Sequence, residues 1–335
     1  MTMSTSLDHL LPAPEDSPRC AEHARHIGLD PAGTAIRADR LVLVETPLPW
    51  PKPALDHPEL QSLAAVLAQS SRPTRLLAVV PTISPPDDGS GTKIVVYDRN
   101  GGSAVERRYQ TSSQEQSIAL ARALADDNVE AGQPYLVAEY QVARPTVLIC
   151  TQGSHDVCCG SEGTRLAAEL DATMGVFPIE LFRVSHTGGH RFAPTAMTLP
   201  DGRMWAGLTA ELLRQIVAHA VGPAELVGRV RGWWGAEAGR AQVAELAVWN
   251  ERGWDLDRHD RKVDIHQPTD GPAVATVVVG RASGYGAAGN EAPAEQWQVE
   301  VAEGRAVPTI ACRQAGGMPA KWAPELNVVS VSRTG

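Results

Sequence analysis

Five residues crowd the middle of this sequence with donor atoms suited to a metal: Cys150, Cys158, Cys159, His186 and His190. Cys150 and Cys159 have eight residues between them, and His186 and His190 have three. Two thiolates and two imidazoles form a soft-to-borderline set that suits zinc or an iron–sulfur centre, not magnesium or calcium. The histidines have the i, i+4 spacing of one helical face. The intervening Thr187-Gly188-Gly189 argues against a regular helix, since each glycine costs about 1 kcal/mol there relative to alanine. A tight glycine loop is expected, with Gly188 and Gly189 free to take positive φ and to let backbone amides approach a bound group.

The elements that must position these residues are readable as a βαβ unit. Thr146–Ile149 is a short apolar strand that delivers Cys150. The polar loop Thr151–Gly160 leads into a helix with Leu166, Ala167, Leu170 and Met174 on one face. A second strand, Phe177–Val184, delivers His186. Loops beyond strand ends are where an α/β sheet holds ligands. A helix starting near Ser161 places a partial positive charge beside Cys159, which favours thiolate. Met204–Leu208 returns as a strand after the Asp201-Gly202 turn, and Thr209–Ala220 is an amphipathic helix.

Alternating strands and helices predict an α/β fold throughout the N-terminal part. Residues 1–36 read as a lead-in segment and 37–144 as an N-terminal α/β domain. In the latter, Leu41–Val44, Arg75–Val80 and Lys93–Tyr97 are strands, and Pro58–Gln69 and Ser113–Asp126 are helices. Thr46-Pro-Leu-Pro-Trp-Pro-Lys-Pro53 is an extended connector, and Pro81–Thr92 is a loop. Residues 145–222 form the cysteine–histidine domain. Residues 223–335 read as a C-terminal accessory domain. There Ala224–Trp234 and Ala241–Asn250 are expected as helices, followed by the strands Lys262–His266, Ala273–Gly280, Gln296–Val301, Val307–Cys312 and Asn327–Val331. No internal repeat of fixed period is visible.

Composition narrows the function. A net charge of −9 over 335 residues argues against a nucleic-acid partner, which calls for clustered Lys and Arg. The pair Arg107–Arg108 reads as solvated surface. No apolar run approaches a membrane span and no secretory signal is evident, so a cytoplasmic location is expected. Five cysteines make a poor disulfide framework. Cys20 and Cys312 stand alone and read as ordinary thiols, and Trp233-Trp234 as the core of a helix junction.

The stretches VLICTQGSHDVCCG, residues 147–160, and FRVSHTGGHRFAPTAMTLPDGRMWAGL, residues 182–208, resemble the sucrase/ferredoxin-like family. These are thioredoxin-like ferredoxins that include the bis-histidinyl Apd-type proteins of yeast. A looser likeness runs over roughly 40–220. The resemblance implies a [2Fe–2S] cluster ligated by Cys150, Cys159, His186 and His190, with both cysteines on one iron and both histidines on the other. Family spacing favours Cys159 over its neighbour Cys158. The family's first loop often reads Thr-His-Gly-x-Arg-Asp, whereas Gln152 and His155 stand at the histidine and arginine places here.

The function expected from this is electron transfer by a carrier, not a stand-alone enzyme, and no catalytic residue is assigned. A flavin-dependent reductase or other redox donor and a further acceptor are the expected partners. Two imidazoles in place of thiolates raise a cluster's potential, and a second ring nitrogen on each allows proton coupling. Two alternatives use the same residues: a structural zinc-binding interaction module, and a thioredoxin-like thiol oxidoreductase. Gly284-Tyr-Gly-Ala-Ala-Gly289 matches a dinucleotide pattern but does not open a helix. No carboxylate pair is placed for glycoside hydrolysis.

Overall fold

Two strongly apolar runs, around Leu41–Val44 and Val147–Ile149, become interior strands of one large sheet. The computed structural model describes residues 7–81, 91–172, 179–282, 294–312, 316, 318–319 and 321–335. Its main-sheet strands are β1 (Arg40–Glu45), β2 (Thr74–Pro81), β3 (Thr92–Asn100), β4 (Ser103–Thr111), β5 (Leu136–Tyr140), β6 (Thr146–Cys150), β7 (Glu180–Val184), β8 (Ala196–Leu199), β9 (Arg203–Trp205) and β10 (Val230–Trp233). The helices are α1 (Cys20–His26), α2 (Pro58–Leu67), α3 (Gln114–Ala125), α4 (Val129–Gly132), α5 (Thr164–Asp171), α6 (Ala210–Val217) and α7 (Arg240–Arg252). The chain is an α/β protein. Side-chain caps start several helices: Ser113 accepts from the Gln116 N–H at 3.4 Å, and Thr209 accepts from the Leu212 N–H at 3.1 Å. Each satisfies an amide that the first helical turn leaves free.

The strand order is β10-β9-β8-β6-β7-β2-β1-β3-β4-β5. It divides into two halves that follow the same path. In each, a parallel βαβ pair (β1 with β2, β6 with β7) is extended by antiparallel strands beyond its first member. The halves meet where β2 and β7 pair antiparallel. Hydrogen bonding is therefore continuous across position 144/145, and β10 joins the sheet from beyond residue 222. The repetition lies in the path of the chain and not in a sequence period. Only the second half carries a cysteine–histidine set in its loops.

A second, antiparallel sheet follows: β11 (His259–His266), β12 (Ala273–Ala282), β13 (Glu295–Thr309) and β14 (Lys321–Arg333), in sequence order. The two expected strands Gln296–Val301 and Val307–Cys312 are parts of β13, which ends at Thr309. Helix α7 is buried from Ala241 to Trp249 because it lies against β10 and all four strands of the second sheet. Polar residues can be buried there only with partners. Glu245, fully buried, accepts from Arg203 at 2.9 Å and Arg261 at 2.7 Å.

Three expectations are corrected. Ala224–Trp234 is a 3-10 turn followed by β10, not a helix. Gly228 and Gly232 take positive φ, and Val230 pairs with Trp205. Trp233 and Trp234 are buried in the core at the end of that strand. Arg107 and Arg108 are not free surface charges, since they pair with Asp98, Glu139, Glu106 and Glu180. The Pro81–Thr92 loop, Met174, Phe177 and the glycine pattern Gly284–Gly289 fall wholly or largely outside the described residues. Among the described residues no helix is long and apolar enough to cross a membrane.

Candidate metal centre

Cys150 is the last residue of β6, a strand buried along its whole length. Its N–H donates to the Thr195 carbonyl at 3.1 Å. The chain then loops out and returns as a single π-turn, Cys159–Gly163, that runs into α5. Such wide turns often occur at functional sites. This one brings Cys159 back beneath Cys150, and it requires Gly163, where a Cβ would lie 2.0 Å from the Cys150 carbonyl oxygen.

The histidine loop is tied to the cysteine loop by Gln152. Its side chain accepts from the His186 N–H at 2.9 Å and donates to the Pro51 carbonyl at 2.7 Å. Gln152 is thus the brace between the two ligand loops and the proline-rich connector. Gly188 and Gly189 both have positive φ, +77° and +69°, as expected of a tight glycine loop. A Cβ on Gly189 would lie 2.6 Å from the Arg231 guanidinium carbon.

The structure brings donor atoms of Cys150, Cys159 and His186 within 4.8 Å of one another. His190 stands beside them, its ring centroid 6.0 Å from that of His186. Its Nδ1 lies 3.1 Å from Asp156 Oδ2 and 3.2 Å from Cys20 Sγ. Cys158, adjacent in sequence to Cys159, does not join the first group. Its sulfur faces a second one, made with Cys20, Asp156 and Cys312. Cys20 and Cys312, isolated in the sequence, are therefore not isolated in the fold.

Electrostatics sets the state of the first group. Contact with Cys159 holds the Cys150 thiol well below its ordinary range against the opposing effect of burial, and His186 adds to this. The same contact and burial push Cys159 well above it. Arg231, on β10, is buried; it donates to Thr34 Oγ1 and to the Gly188 carbonyl, each at 3.2 Å. Burial and the nearby Arg191 lower its pKa to about 10, while Cys150 and Cys159 act to raise it. It remains charged at neutral pH and offsets negative charge at the sulfurs. His155 stacks on His186 with centroids 3.6 Å apart. Burial and the neighbouring His186 and Lys52 lower its pKa to about 4, so it is neutral at pH 7.

The donor set fits a metal ion or an iron–sulfur group. His186 Nδ1 is buried without a hydrogen-bond partner among the described residues, as are the hydroxyls of Thr151, Thr187 and Thr195. Buried polar atoms are normally paired. One ring nitrogen of His186 lies within 4.8 Å of both thiol sulfurs, which suits a metal, and the unpartnered hydroxyls belong to residues adjoining the two ligand loops. Sequence reasoning did not identify Arg231, Asp156 or the stacking role of His155. Arg231 lies in a segment expected to be helical, and no spacing signal links it to Gly188.

The sucrase/ferredoxin-like family matches residues 31–232, more than half of the chain. No curated protein and no solved structure matches it.

Proposed function

Since the chain belongs to the sucrase/ferredoxin-like family, we propose that it is an electron-transfer protein carrying a [2Fe–2S] cluster held by Cys150, Cys159, His186 and His190. The observation that carries this reading is the convergence of Cys150, Cys159 and His186 within 4.8 Å, with a buried ring nitrogen of His186 left without a partner. Bound there, the cluster supplies a one-electron couple whose potential lies above that of an all-thiolate centre, because neutral imidazoles replace two negative ligands.

The protein's own residues complete the site. Thr151, Thr187 and Thr195 offer hydroxyl donors, and Gly188 and Gly189 keep the loop close to the sulfurs. A cavity of about 350 Å³ reaches His186 past Leu55, Gln152 and His155. It offers a redox partner an approach to the histidine side of the centre. A flavin-dependent reductase is the proposed donor. Electron paramagnetic resonance of the reduced protein tests the assignment: a spin-half signal from a mixed-valence iron pair is expected, and an isolated high-spin iron signal or none contradicts it.

Arg231 favours the reduced, more negative state because it is a buried cation close to the thiolates. Arg231→Gln is expected to lower the midpoint potential by tens of millivolts, on the scale of about 59 mV per tenfold change for one electron. Arg231→Lys keeps most of the wild-type value. A spectroscopically monitored redox titration gives the answer, and an unchanged potential in Arg231→Gln contradicts the role.

Electron uptake at this centre is coupled to proton uptake. His190 Nδ1 lies 3.1 Å from Asp156 Oδ2, within hydrogen-bond reach of a carboxylate. Electron uptake makes a ligating imidazole more basic, so the potential falls with rising pH by about 59 mV per unit over the coupled range. Potentials measured between about pH 5 and pH 10 bracket the ordinary imidazole range. A constant potential throughout rejects the coupling but not the cluster.

A further inference from the structure

Three chain segments far apart in sequence deliver sulfur to one point outside the proposed cluster. Cys20 begins α1, Cys158 precedes the π-turn, and Cys312 follows β13. Their Sγ atoms are 3.4 Å apart for Cys158 and Cys312, 3.5 Å for Cys20 and Cys312, and 3.7 Å for Cys20 and Cys158. Asp156 Oδ1 lies 3.4 Å from both Cys20 Sγ and Cys312 Sγ. Cys20, Cys158 and Asp156 are buried.

We infer that Cys20, Asp156, Cys158 and Cys312 form a second metal site, a tetrahedral zinc centre of three thiolates and one carboxylate. A tetrahedron with zinc–sulfur bonds of about 2.3 Å and a zinc–oxygen bond of about 2.0 Å has sulfur–sulfur edges of about 3.8 Å and sulfur–oxygen edges of about 3.5 Å. The five edges given above come within a few tenths of an ångström of these, and the sixth, Cys158 to Asp156, is under 4.8 Å. The backbone supplies the support that metal thiolates receive. The Cys20 N–H donates to Cys312 Sγ at 3.3 Å, and the Ala21 N–H donates to Cys158. The Cys158 N–H fixes Asp156 Oδ1 at 2.9 Å.

Zinc binding here is not a redox step. The ion replaces the thiol protons, which leave to solvent, and Asp156 binds as a carboxylate. The other oxygen, Oδ2, stays on His190 Nδ1, so one carboxylate joins this site to the proposed cluster. The site also fastens α1 and the segment after β13 to the cysteine loop. These two pieces have no covalent link nearby, which gives the second metal a structural task that the cluster does not perform.

The test is a metal count with a zinc-edge absorption spectrum on the full-length protein, isolated anaerobically, loaded with zinc(II) and dialysed. The inference requires one zinc per chain in addition to any iron, with three sulfur neighbours at about 2.3 Å and one oxygen or nitrogen at about 2.0 Å. Cys20→Ser combined with Cys312→Ser is expected to reduce retained zinc at least tenfold while iron and sulfide persist. Zinc at background in the wild type overturns the inference. So does zinc with two sulfur and two nitrogen neighbours, or a Cys158–Cys312 disulfide in place of metal. If the double variant fails to fold, the wild-type count and spectrum decide alone. Zinc present with iron and sulfide absent counts against the cluster reading and not against this one.

Discussion

Cys159→Ser should lose iron and sulfide together, at least tenfold, whereas Cys158→Ser should keep both. The two cysteines are neighbours in sequence but serve different groups. The turn of the backbone between them sends Cys159 toward Cys150 and His186, and Cys158 toward Cys20 and Cys312. A serine hydroxyl is a poor substitute for thiolate toward iron, because the ligand must be an anion of soft character. At position 158 the same change removes a donor from the second group only, so zinc falls while the visible absorption of the cluster remains. Iron, sulfide and zinc counted in both variants check the pair of outcomes. The reverse pattern moves the cluster ligand by one residue.

Glu245→Ala should destabilise the protein by about 3–5 kcal/mol, the range for breaking one member out of a buried ion network. Glu245 and the two arginines it binds, Arg203 and Arg261, are essentially inaccessible. Asp257 accepts from the same two guanidiniums at 2.8 Å and 3.0 Å, and Trp249 Nε1 donates to it at 3.0 Å. Arg203 belongs to β9, Glu245 to α7 and Arg261 to β11, so the network joins the large sheet to the small one. Removing Glu245 leaves two buried cations sharing Asp257. Glu245→Gln keeps the shape and one acceptor, and costs less. Urea unfolding monitored by tryptophan fluorescence measures both, and a loss under about 1 kcal/mol for Glu245→Ala contradicts a joining role for the network.

The ligand loops were legible because their signals are local. β6 is a short apolar run, β7 buries Leu181, Phe182 and Val184, and each ends next to a cysteine or a histidine pair. The glycines between the histidines could be assigned positive φ before any coordinates, and Gly188 and Gly189 have it. What was not legible depends on long-range pairing. β4 reads as polar and charged, and becomes a sheet strand because Arg107 and Arg108 find ion partners on β3, β5 and β7, and Glu106 pairs with Arg108 and Arg144. Cys20 and Cys312 are 292 positions apart, and no spacing rule links such residues. Arg231 was hidden in the same way: its segment suggested a helix until Val230 found Trp205 across the sheet. The likeness between the two halves of the main sheet was also invisible, since it lies in the order and direction of strands and not in repeated residues.

The proposed division of labour between the two donor groups follows from the same geometry. Cys150 ends β6, His186 follows β7 and Cys159 opens the turn into α5, all beside interior strands of the large sheet, and support from regular elements favours a fixed ligand geometry. Cys20 and Cys312 come from segments outside that frame. The shared neighbour is Asp156, whose carboxyl is held well below its usual range. Burial opposes this, but the His190 ring and the Cys158 N–H outweigh it. Asp156 is therefore ionised across the physiological range and can serve His190 and the second group at once.

The proposed cluster is tested most directly by iron and acid-labile sulfide counted per chain in anaerobically isolated wild-type protein. About two irons and two sulfides are expected, on the stoichiometry of a [2Fe–2S] centre. Protein that carries zinc but neither iron nor sulfide after anaerobic isolation contradicts it.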